Sequence, residues 1–412
     1  MDWVVLAVFA VVYLGMLVGE IPGLALDRTG VALLGALALV ATERVKPEAA
    51  WRAVDVPTLA LLFGLMVVSA QLRMAGFYTW VTRRMVSAAV GPAAMLAVVI
   101  AVSGVLSAIL ANDIVCLAVA PLLVEGCLQR RLDPVPFLLA LACAANVGSA
   151  ATLIGNPQNM LIGQTLHLSF AGYLADAVVP AVLGLVVVWA LVGLATRGRW
   201  QLPVAPPPAG ERNRRRADAP PFDGWQSGKG LLVLGLLVLG FLFAPVPREV
   251  LALAGAALLL TSRRMASRDL IGLVDWHLLV LFVGLFVVNH SVAQAGLAAR
   301  ASAFLRGAGI DLADPRWLFP STAVLSNLVS NVPAVMLLLP HAVHRLAGPV
   351  LALSSTLAGN LLIVGSIANI IVADQAGQLG VQVGWRAHAR VGVPVTLATL
   401  ALAAAWLWLR AG

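Results

Sequence analysis

The chain has 412 residues, of which 61% are hydrophobic and only 11% are charged. A soluble domain carries about 25% charged residues, so this composition excludes a water-soluble fold and predicts a protein embedded in a lipid bilayer. The net charge of +8 does not indicate nucleic-acid binding, because the basic residues stand in short loops between apolar runs, as the positive-inside rule predicts.

Ten apolar segments have the composition of membrane spans, for which roughly 20 apolar residues are needed. We predict spans over 3–19, 30–42, 55–73, 136–164, 170–196, 230–244, 249–262, 275–291, 349–374 and 389–410. The first has no basic region before it, so we interpret it as a retained span rather than a cleaved signal.

Two further apolar stretches, 93–126 and 316–346, are too long for one span. Asn112 and Asp113 interrupt the first stretch, and Ser330 and Asn331 interrupt the second. Non-helical backbone is tolerated at membrane depth only inside protein or against a water-filled cavity. We therefore predict that each stretch is a re-entrant helical hairpin that enters and leaves the membrane on one side.

The segment 197–228 is rich in proline and contains four arginines within 212–216. Its composition predicts a cytoplasmic linker. With this linker inside, both termini lie outside, the first hairpin opens from the cytoplasm and the second opens from the outside. We predict a multi-pass protein of the inner (plasma) membrane.

The two halves of the chain share a pattern of residues in the same order. Arg28 matches Arg248 and Gly64 matches Gly284 at a shift of 220 residues, Asn112 matches Asn331 at 219, and Gly155 and Asn159 match Gly365 and Asn369 at 210. Each half contains five predicted spans and one hairpin, and an odd number of spans turns the second copy upside down. We predict inverted repeats over 1–196 and 229–412, an architecture typical of alternating-access transporters.

Four clusters of polar residues lie inside the predicted membrane region, where such residues are costly and by default functional. In the run 155–159, proline breaks the helix and glycine permits the break. The break frees carbonyls that can bind a cation and exposes a helix N-terminus that favours an anion. We predict binding of substrate and ion by Asn112, Asp113, Gly155, Asn156, Pro157, Gln158, Asn159, Ser330, Asn331, Gly365, Ser366 and Asn369.

The sequence predicts no cofactor other than a coupling ion, sodium or a proton. A sodium ion is predicted at Asn112, Asn156, Asn331 and Ser366. Asp113 is the one carboxylate placed deep in the first-half site, where a low dielectric favours its protonation or a bound cation.

Four other polar residues receive structural interpretations. Asn146 and Asn360 are interpreted as amides that pack helices together. His277 and His290 flank a span without a metal-binding partner, so no metal site is expected.

At these residues the sequence resembles the ion-transporter superfamily that contains divalent anion–sodium symporters, citrate transporters and arsenite permeases. The run 111–113 resembles the hairpin-tip motif of arsenite-permease-like members. The run 153–159 is similar to the broken-helix motif of the anion symporters, with Asn156 in place of threonine, and 364–369 resembles the second break of the arsenite-permease branch. The resemblance implies a scaffold part, an elevator-like transport part made of hairpins and broken helices, and a homodimer.

The leading hypothesis is a secondary transporter of a small anion, a carboxylate or an inorganic oxyanion such as arsenite, coupled to sodium or protons. The alternative is a sodium–proton antiporter that uses Asp113. An intramembrane enzyme is not expected, because the sequence contains no Ser/His/Asp set and no paired histidines at ligand spacing. A pore-type channel is not expected either, since paired broken helices suit alternating access better.

Overall fold

The structure, a computed structural model, describes residues 2–19, 26–202 and 220–411. Over these ranges the chain forms twenty α-helices and two short 3-10 helices. Its only bridge of β type there is an isolated one between Leu132 and Gln201.

Ten helices precede the segment that links the two halves of the chain. They are α1 (Trp3–Val18), α2 (Arg28–Ala41), α3 (Pro47–Ala53), α4 (Val56–Met74), α5 (Phe77–Ser87), α6 (Pro92–Ile109), α7 (Asn112–Gln129), α8 (Pro134–Ser149), α9 (Pro157–Thr165) and α10 (Phe170–Thr196).

Ten helices follow it, together with 3-10 turns at Leu339–His341 and Ile363–Gly365. The helices are α11 (Gly224–Phe243), α12 (Arg248–Leu260), α13 (Ser267–Gly272), α14 (Trp276–Gln294), α15 (Leu297–Gly307), α16 (Pro315–Val329), α17 (Asn331–Leu338), α18 (Ala347–Ala358), α19 (Ile367–Gly377) and α20 (Trp385–Ala411).

The predicted fold class, an all-α polytopic membrane protein, is confirmed. In the described part of the chain, seven helices are long and apolar enough to cross a membrane, namely α4, α6, α7, α10, α11, α14 and α20. Shorter apolar helices accompany them, among them α1, α2, α8 and α18.

The predicted interruptions coincide with helix ends. The segment 136–164 divides into α8 and α9, and 349–374 divides into α18 and α19. Pro157 stands in the first turn of α9, where its missing N–H costs nothing, and the Asn156 side chain caps that helix by accepting from the backbone N–H of Asn159 at 2.9 Å. Both hairpins turn within one or two residues, at 110–111 and at Ser330.

The predicted linker is shorter than expected, because α11 begins at Gly224 instead of after residue 228. The side chain of Asp223 caps this helix by accepting from the backbone N–H of Gln226 at 3.0 Å. The Gln226 side chain in turn accepts from the Gln71 amide of α4 at 2.9 Å, which fixes the first turn of α11 against the first half. The arginine-rich run 212–216 lies outside the described residues.

Four short helices, α3, α5, α13 and α15, were not predicted. In α5, Phe77, Tyr78 and Met85 are buried, whereas Arg83 and Arg84 are exposed. This two-sided pattern is typical of a helix that lies along the membrane surface. Such a helix is too short and too polar to register as a span.

The two halves pack through one pair of close helix contacts made at glycine. A Cβ at Gly64 of α4 would lie 2.6 Å from the carbonyl carbon of Ala252 of α12, and a Cβ at Gly284 of α14 would lie 2.7 Å from that of Ala32 of α2. Small residues allow membrane helices to approach this closely. The two contacts exchange when every residue is replaced by its match 220 positions away, as expected of related halves, and the inverted orientation stays a prediction.

Candidate functional site

The four predicted polar clusters lie at the N-termini of four helices. α7 begins at Asn112, α9 at Pro157, α17 at Asn331 and α19 at Ile367. Hydrogen bonds between buried side chains of α8 and α18 and these N-termini join the four clusters into one site. The unpaired N–H groups and the dipole of each helix N-terminus give this site a partial positive charge.

One group of side chains, the Asn146 cluster, surrounds a buried amide of α8. Asn146 Oδ1 accepts from Asn112 Nδ2 at 3.2 Å and from Ser366 Oγ at 2.9 Å. Asn146 Nδ2 donates to the Oδ1 atoms of Asn360 and Asn369, at 2.8 and 3.1 Å. All four hydrogen-bonding positions of this amide are therefore used, three of them by residues of the second half.

A second group, the Thr356 cluster, surrounds a buried hydroxyl of α18. Thr356 Oγ1 accepts from Asn156 Nδ2 at 3.3 Å and from Gln158 Nε2 at 3.2 Å, and it donates to Asn159 Oδ1 at 3.4 Å. Thr356 follows Asn146 by 210 residues, the shift that relates the two breaks. Each half thus binds the broken helix of the other half.

Two matched asparagines hold the breaks in shape. Asn159 Nδ2 donates to the carbonyls of Ser149 and Thr152, at 3.3 and 3.0 Å. Asn369 Nδ2 donates to the carbonyls of Gly359 and Leu362, at 2.8 and 3.1 Å. The four carbonyls also match at a shift of 210, so these amide nitrogens satisfy the acceptors that the breaks release.

The two hairpin tips contact the breaks. The backbone N–H of Asn112 donates to the carbonyl of Gly155 at 3.1 Å. With the Asn331 amide oriented so that both its ends find partners, its nitrogen lies 3.2 Å from the carbonyl of Gly365 and its oxygen accepts from Gln158 Nε2 at 3.2 Å. Each tip is therefore bonded to the break of its own half, and the second tip also to the first break.

The tips differ in backbone conformation. Ser330 has φ 74° and ψ 161°, a region that is essentially restricted to glycine. The matching residue of the first tip, Ala111, has φ −59° and ψ 123°, which any residue adopts. The second tip therefore carries backbone strain that the first does not.

Gly155 is enclosed by backbone. A Cβ at this position would lie 2.3 Å from the carbonyl oxygen of Ser149 and 2.7 Å from that of Ser107. At Gly365 the nearest atom would be the side-chain oxygen of Asn327 at 2.7 Å, and the nearest backbone atom would be 3.3 Å away. The first break thus has no room for a side chain, whereas the second has a neighbour that can move.

The predicted sodium ligands do not form one group. Asn112 and Ser366 belong to the Asn146 cluster, Asn156 belongs to the Thr356 cluster, and Asn331 reaches the latter only through Gln158. The Oδ1 atom of Asn112 is buried without a hydrogen-bond partner in the described part of the chain, so it is the oxygen of this set that is free to bind a cation.

Asp113 lies outside this network, since no described residue forms a hydrogen bond or ion pair with its half-buried carboxylate. The network itself contains amides, hydroxyls and backbone groups and no charged side chain. Within residues 2–19, 26–202 and 220–411, no three His, Cys, Asp or Glu side chains are grouped as metal ligands. Cys116, Cys127 and Cys143 are free and buried.

The interpretation of Asn146 and Asn360 as packing amides alone was too limited, and Thr356 and Ser149 were missed. Ser149 Oγ accepts from Asn156 Nδ2 at 2.9 Å. Neither α8 nor α18 has a break that would draw attention to its polar residues. The available signal was the shift of 210 residues, which pairs Asn146 with Thr356.

A polytopic helical protein whose broken helices meet at a buried polar site has the architecture of a membrane transporter. The crystal structure of the YdaH transporter of Alcanivorax borkumensis shares this fold, with a TM-score of 0.54, 15% sequence identity, and coverage of 99% of this chain and 97% of that one. The chain belongs to the citrate transporter family, whose sequence profile matches residues 4–349.

Relatives in other organisms agree with this assignment. An uncharacterized transporter of Mycobacterium tuberculosis is 31% identical over 383 residues, 87% of each chain. The silicon efflux transporter LSI3 of Oryza sativa subsp. japonica is 29% identical over 96% of this chain and 95% of its own. The putative transporter arsB of Dictyostelium discoideum is 22% identical over 91% and 86%. The resemblance found in the sequence is confirmed, and the protein is a multi-pass membrane transporter of a small-molecule substrate.

Proposed function

We propose that the protein is a secondary transporter of a small anion, a carboxylate or an inorganic oxyanion such as arsenite, and that it works by alternating access of the elevator type. The observation that carries this proposal is the meeting of four helix N-termini at one buried site. Helix N-termini bind anions through their free N–H groups and their dipoles. Two of these helices come from each half, so movement of the hairpins and breaks would carry the site with them.

The chemistry of the site favours a compact oxygen-rich substrate. Its polar groups are amides and hydroxyls, which donate and accept hydrogen bonds. No cationic side chain takes part in the network to neutralise a high charge, so dipoles, amides and a co-bound cation must hold the substrate. A small oxyanion with few charges meets these conditions, and the names of the rice and Dictyostelium relatives point to the same class of solute.

Coupling to sodium or protons is the second part of the proposal. The unpartnered Oδ1 of Asn112 supplies one oxygen ligand for a cation. Asp113 adds a neighbouring carboxylate in the first turn of α7. Because that carboxylate is half-buried and free of hydrogen bonds to the described residues, the alternative of a sodium–proton antiporter with Asp113 as the exchanging group also has a structural basis.

The orientation and assembly belong to the same proposal. The linker is cytoplasmic, both termini lie outside, and the protein is a homodimer of the inner (plasma) membrane. The positive-inside rule supports this orientation through Arg83, Arg84, Arg263 and Arg264, which are exposed in loops or surface helices on the side of the linker.

The test is reconstitution of the purified protein in liposomes that contain a pH dye. An inward sodium gradient is imposed alone and then with citrate, succinate, phosphate, sulfate or arsenite, and uptake of each labelled anion is measured in parallel. Uptake of one anion that needs the sodium or proton gradient is expected. Proton movement with sodium alone, lost in Asp113→Asn, would establish the antiporter instead.

A matched pair of serine variants links the flux to the site. Ser366→Ala removes a hydrogen bond to Asn146 and should lower uptake several-fold. Ser87→Ala, at an exposed position of α5, should leave uptake unchanged. Equal uptake by both variants would contradict the proposed site.

A further inference from the structure

The C-terminal end of α9 is held by an arginine of the other half. Arg248, at the start of α12, donates from Nη2 to the carbonyl of Gly163 at 2.6 Å and to Gln164 Oε1 at 3.4 Å. Gln164 Nε2 donates to the carboxylate of Glu249 at 2.9 Å. The first break is thereby tied to α12, which packs on α4 and not on the polar site.

The matching arginine of the first half has no such partner. Arg28 stands at the start of α2 and precedes Arg248 by 220 residues. Its Nε atom is buried, and no described residue accepts a hydrogen bond from it. Leaving a buried charged donor unpaired is costly, so a conformation that provides a partner would be favoured at this position.

The partner that the repeat supplies is the C-terminal end of α19. Ala373 and Asp374 follow Gly163 and Gln164 by 210 residues. Asp374 is exposed, and its carboxylate accepts from Gln378 Nε2 of its own helix at 2.7 Å. Its second oxygen and the solvent-facing side of the carboxylate remain available to a guanidinium.

The two sets of residues are complementary in charge although their acids have changed places. Arg248 is accompanied by Glu249 on its own helix and by the neutral Gln164 on α9. Arg28 is accompanied by the neutral Thr29 on its own helix and by the acidic Asp374 on α19. Each set therefore contains one arginine, one carboxylate and one neutral polar side chain.

The surrounding helices show the same difference between the halves. α9 packs against α4 as well as against the second half, whereas the main neighbours of its match, α19, are α7 and α8. The first break is thus engaged with the helices that do not contribute to the polar site, and the second break is engaged with the hairpin and the broken helix of the first half. Related halves in different environments are expected when one conformation of an alternating pair is observed.

We propose that Arg28 and Asp374 form a second latch, which closes in the opposite conformation of the transport cycle when the latch between Arg248 and α9 opens. Arg28 then donates to the carbonyl of Ala373 and pairs with the Asp374 carboxylate, a charge-assisted contact. The inference rests on the proposed alternation of two related halves. It adds two residues, Arg28 and Asp374, that touch neither the substrate nor the coupling ion.

The test uses disulfide cross-linking in a background in which the three native cysteines are replaced by alanine. Arg28→Cys with Asp374→Cys reports the proposed latch, and Arg248→Cys with Gln164→Cys reports the latch present in the structure. Both pairs are oxidised in proteoliposomes. We expect both cross-links to form, and a protein carrying all four substitutions to form one cross-link per molecule. No cross-link in the first pair under either gradient direction, with a cross-link in the second pair, would overturn the proposal, as would both cross-links in one molecule.

A charge-removing pair measures the direction of each latch. With Arg248 and Gln164 replaced by cysteine as the reporter pair, Arg28→Gln should increase the cross-linked fraction, because it weakens only the opposite conformation. Asp374→Asn should do the same, and the two changes together should add little, since they remove one contact. The expected shift of the ratio of conformations is on the order of tenfold, as for a charge-assisted hydrogen bond. A decrease, or two independent effects, would contradict the latch.

The two proposals fail separately. If wild-type protein transports no anion while the cross-links remain mutually exclusive, the substrate assignment is wrong and the latch stands. If anion uptake is intact and Arg28 never approaches Asp374, the latch is wrong and the proposed function stands.

Discussion

Replacement of Asn146 by alanine is the sharpest test of the site. The change removes four buried hydrogen bonds, and each of the four partner atoms, Asn112 Nδ2, Ser366 Oγ, Asn360 Oδ1 and Asn369 Oδ1, has Asn146 as its one hydrogen-bond partner. All four are then left without a partner at once.

The expected loss of stability follows from these orphaned atoms. A buried polar group without a partner costs about 1–3 kcal/mol. The four costs are not additive, because the partners share one space and a water admitted there can restore part of the bonding. We therefore expect Asn146→Ala to lower the free energy of unfolding by about 3–5 kcal/mol and to abolish transport.

Thr356→Val is the matched control, since Thr356 occupies the corresponding position in the second half. Asn156 Nδ2 keeps its bond to Ser149 Oγ, and Gln158 Nε2 keeps its bond to the Asn331 amide oxygen. Only Asn159 Oδ1 loses its partner, so we expect a loss of about 1–2 kcal/mol.

Both free energies can be measured by reversible unfolding in mixed detergent micelles, with anion uptake measured in liposomes. The decisive result is the difference between the two variants. If Thr356→Val destabilises the protein as much as Asn146→Ala, or if Asn146→Ala costs less than about 1 kcal/mol, the four bonds do not organise the site as described.

Further variants test single features by the same unfolding measurement. Gly155→Ala should cost about 2–3 kcal/mol, because backbone surrounds the new Cβ, whereas Gly365→Ala should cost under about 1 kcal/mol, since Asn327 can move; equal costs would contradict this. Ser330→Gly should stabilise the protein by about 1 kcal/mol, because the strained dihedrals suit glycine; a loss would show that the strain is absent. Asp113→Asn should change the free energy by less than about 0.5 kcal/mol, because its carboxylate lies outside the network; a large loss would place it inside.

The sequence predicts the spans and their interruptions well for a physical reason. Long apolar runs have no alternative to the bilayer, and Pro157 or a polar hairpin tip stops a helix whatever surrounds it. The short helices α5 and α15 escape prediction because their stability comes from one buried face and from the membrane surface. Neither contributes a long apolar run.

The site is predicted only in part. Residues at helix breaks, such as Asn156 and Asn369, are visible because the break itself marks them. Asn146 lies inside an uninterrupted helix, and its importance depends on which residues of the second half reach it. The division of the predicted sodium ligands between two clusters has the same origin, because no local pattern states which hairpin tip packs against which break.

The sharing of each cluster between the halves affects how the protein is made. Three of the four partners of Asn146 follow residue 359, and the side chains bonded to Thr356 precede residue 160. While the ribosome has delivered only the first half, the Asn146 and Asn159 amides therefore lie in the membrane with their bonding incomplete. The polar site is assembled last, after α19 has been inserted, so a fragment that ends in the linker should be degraded unless the second half is synthesised beside it.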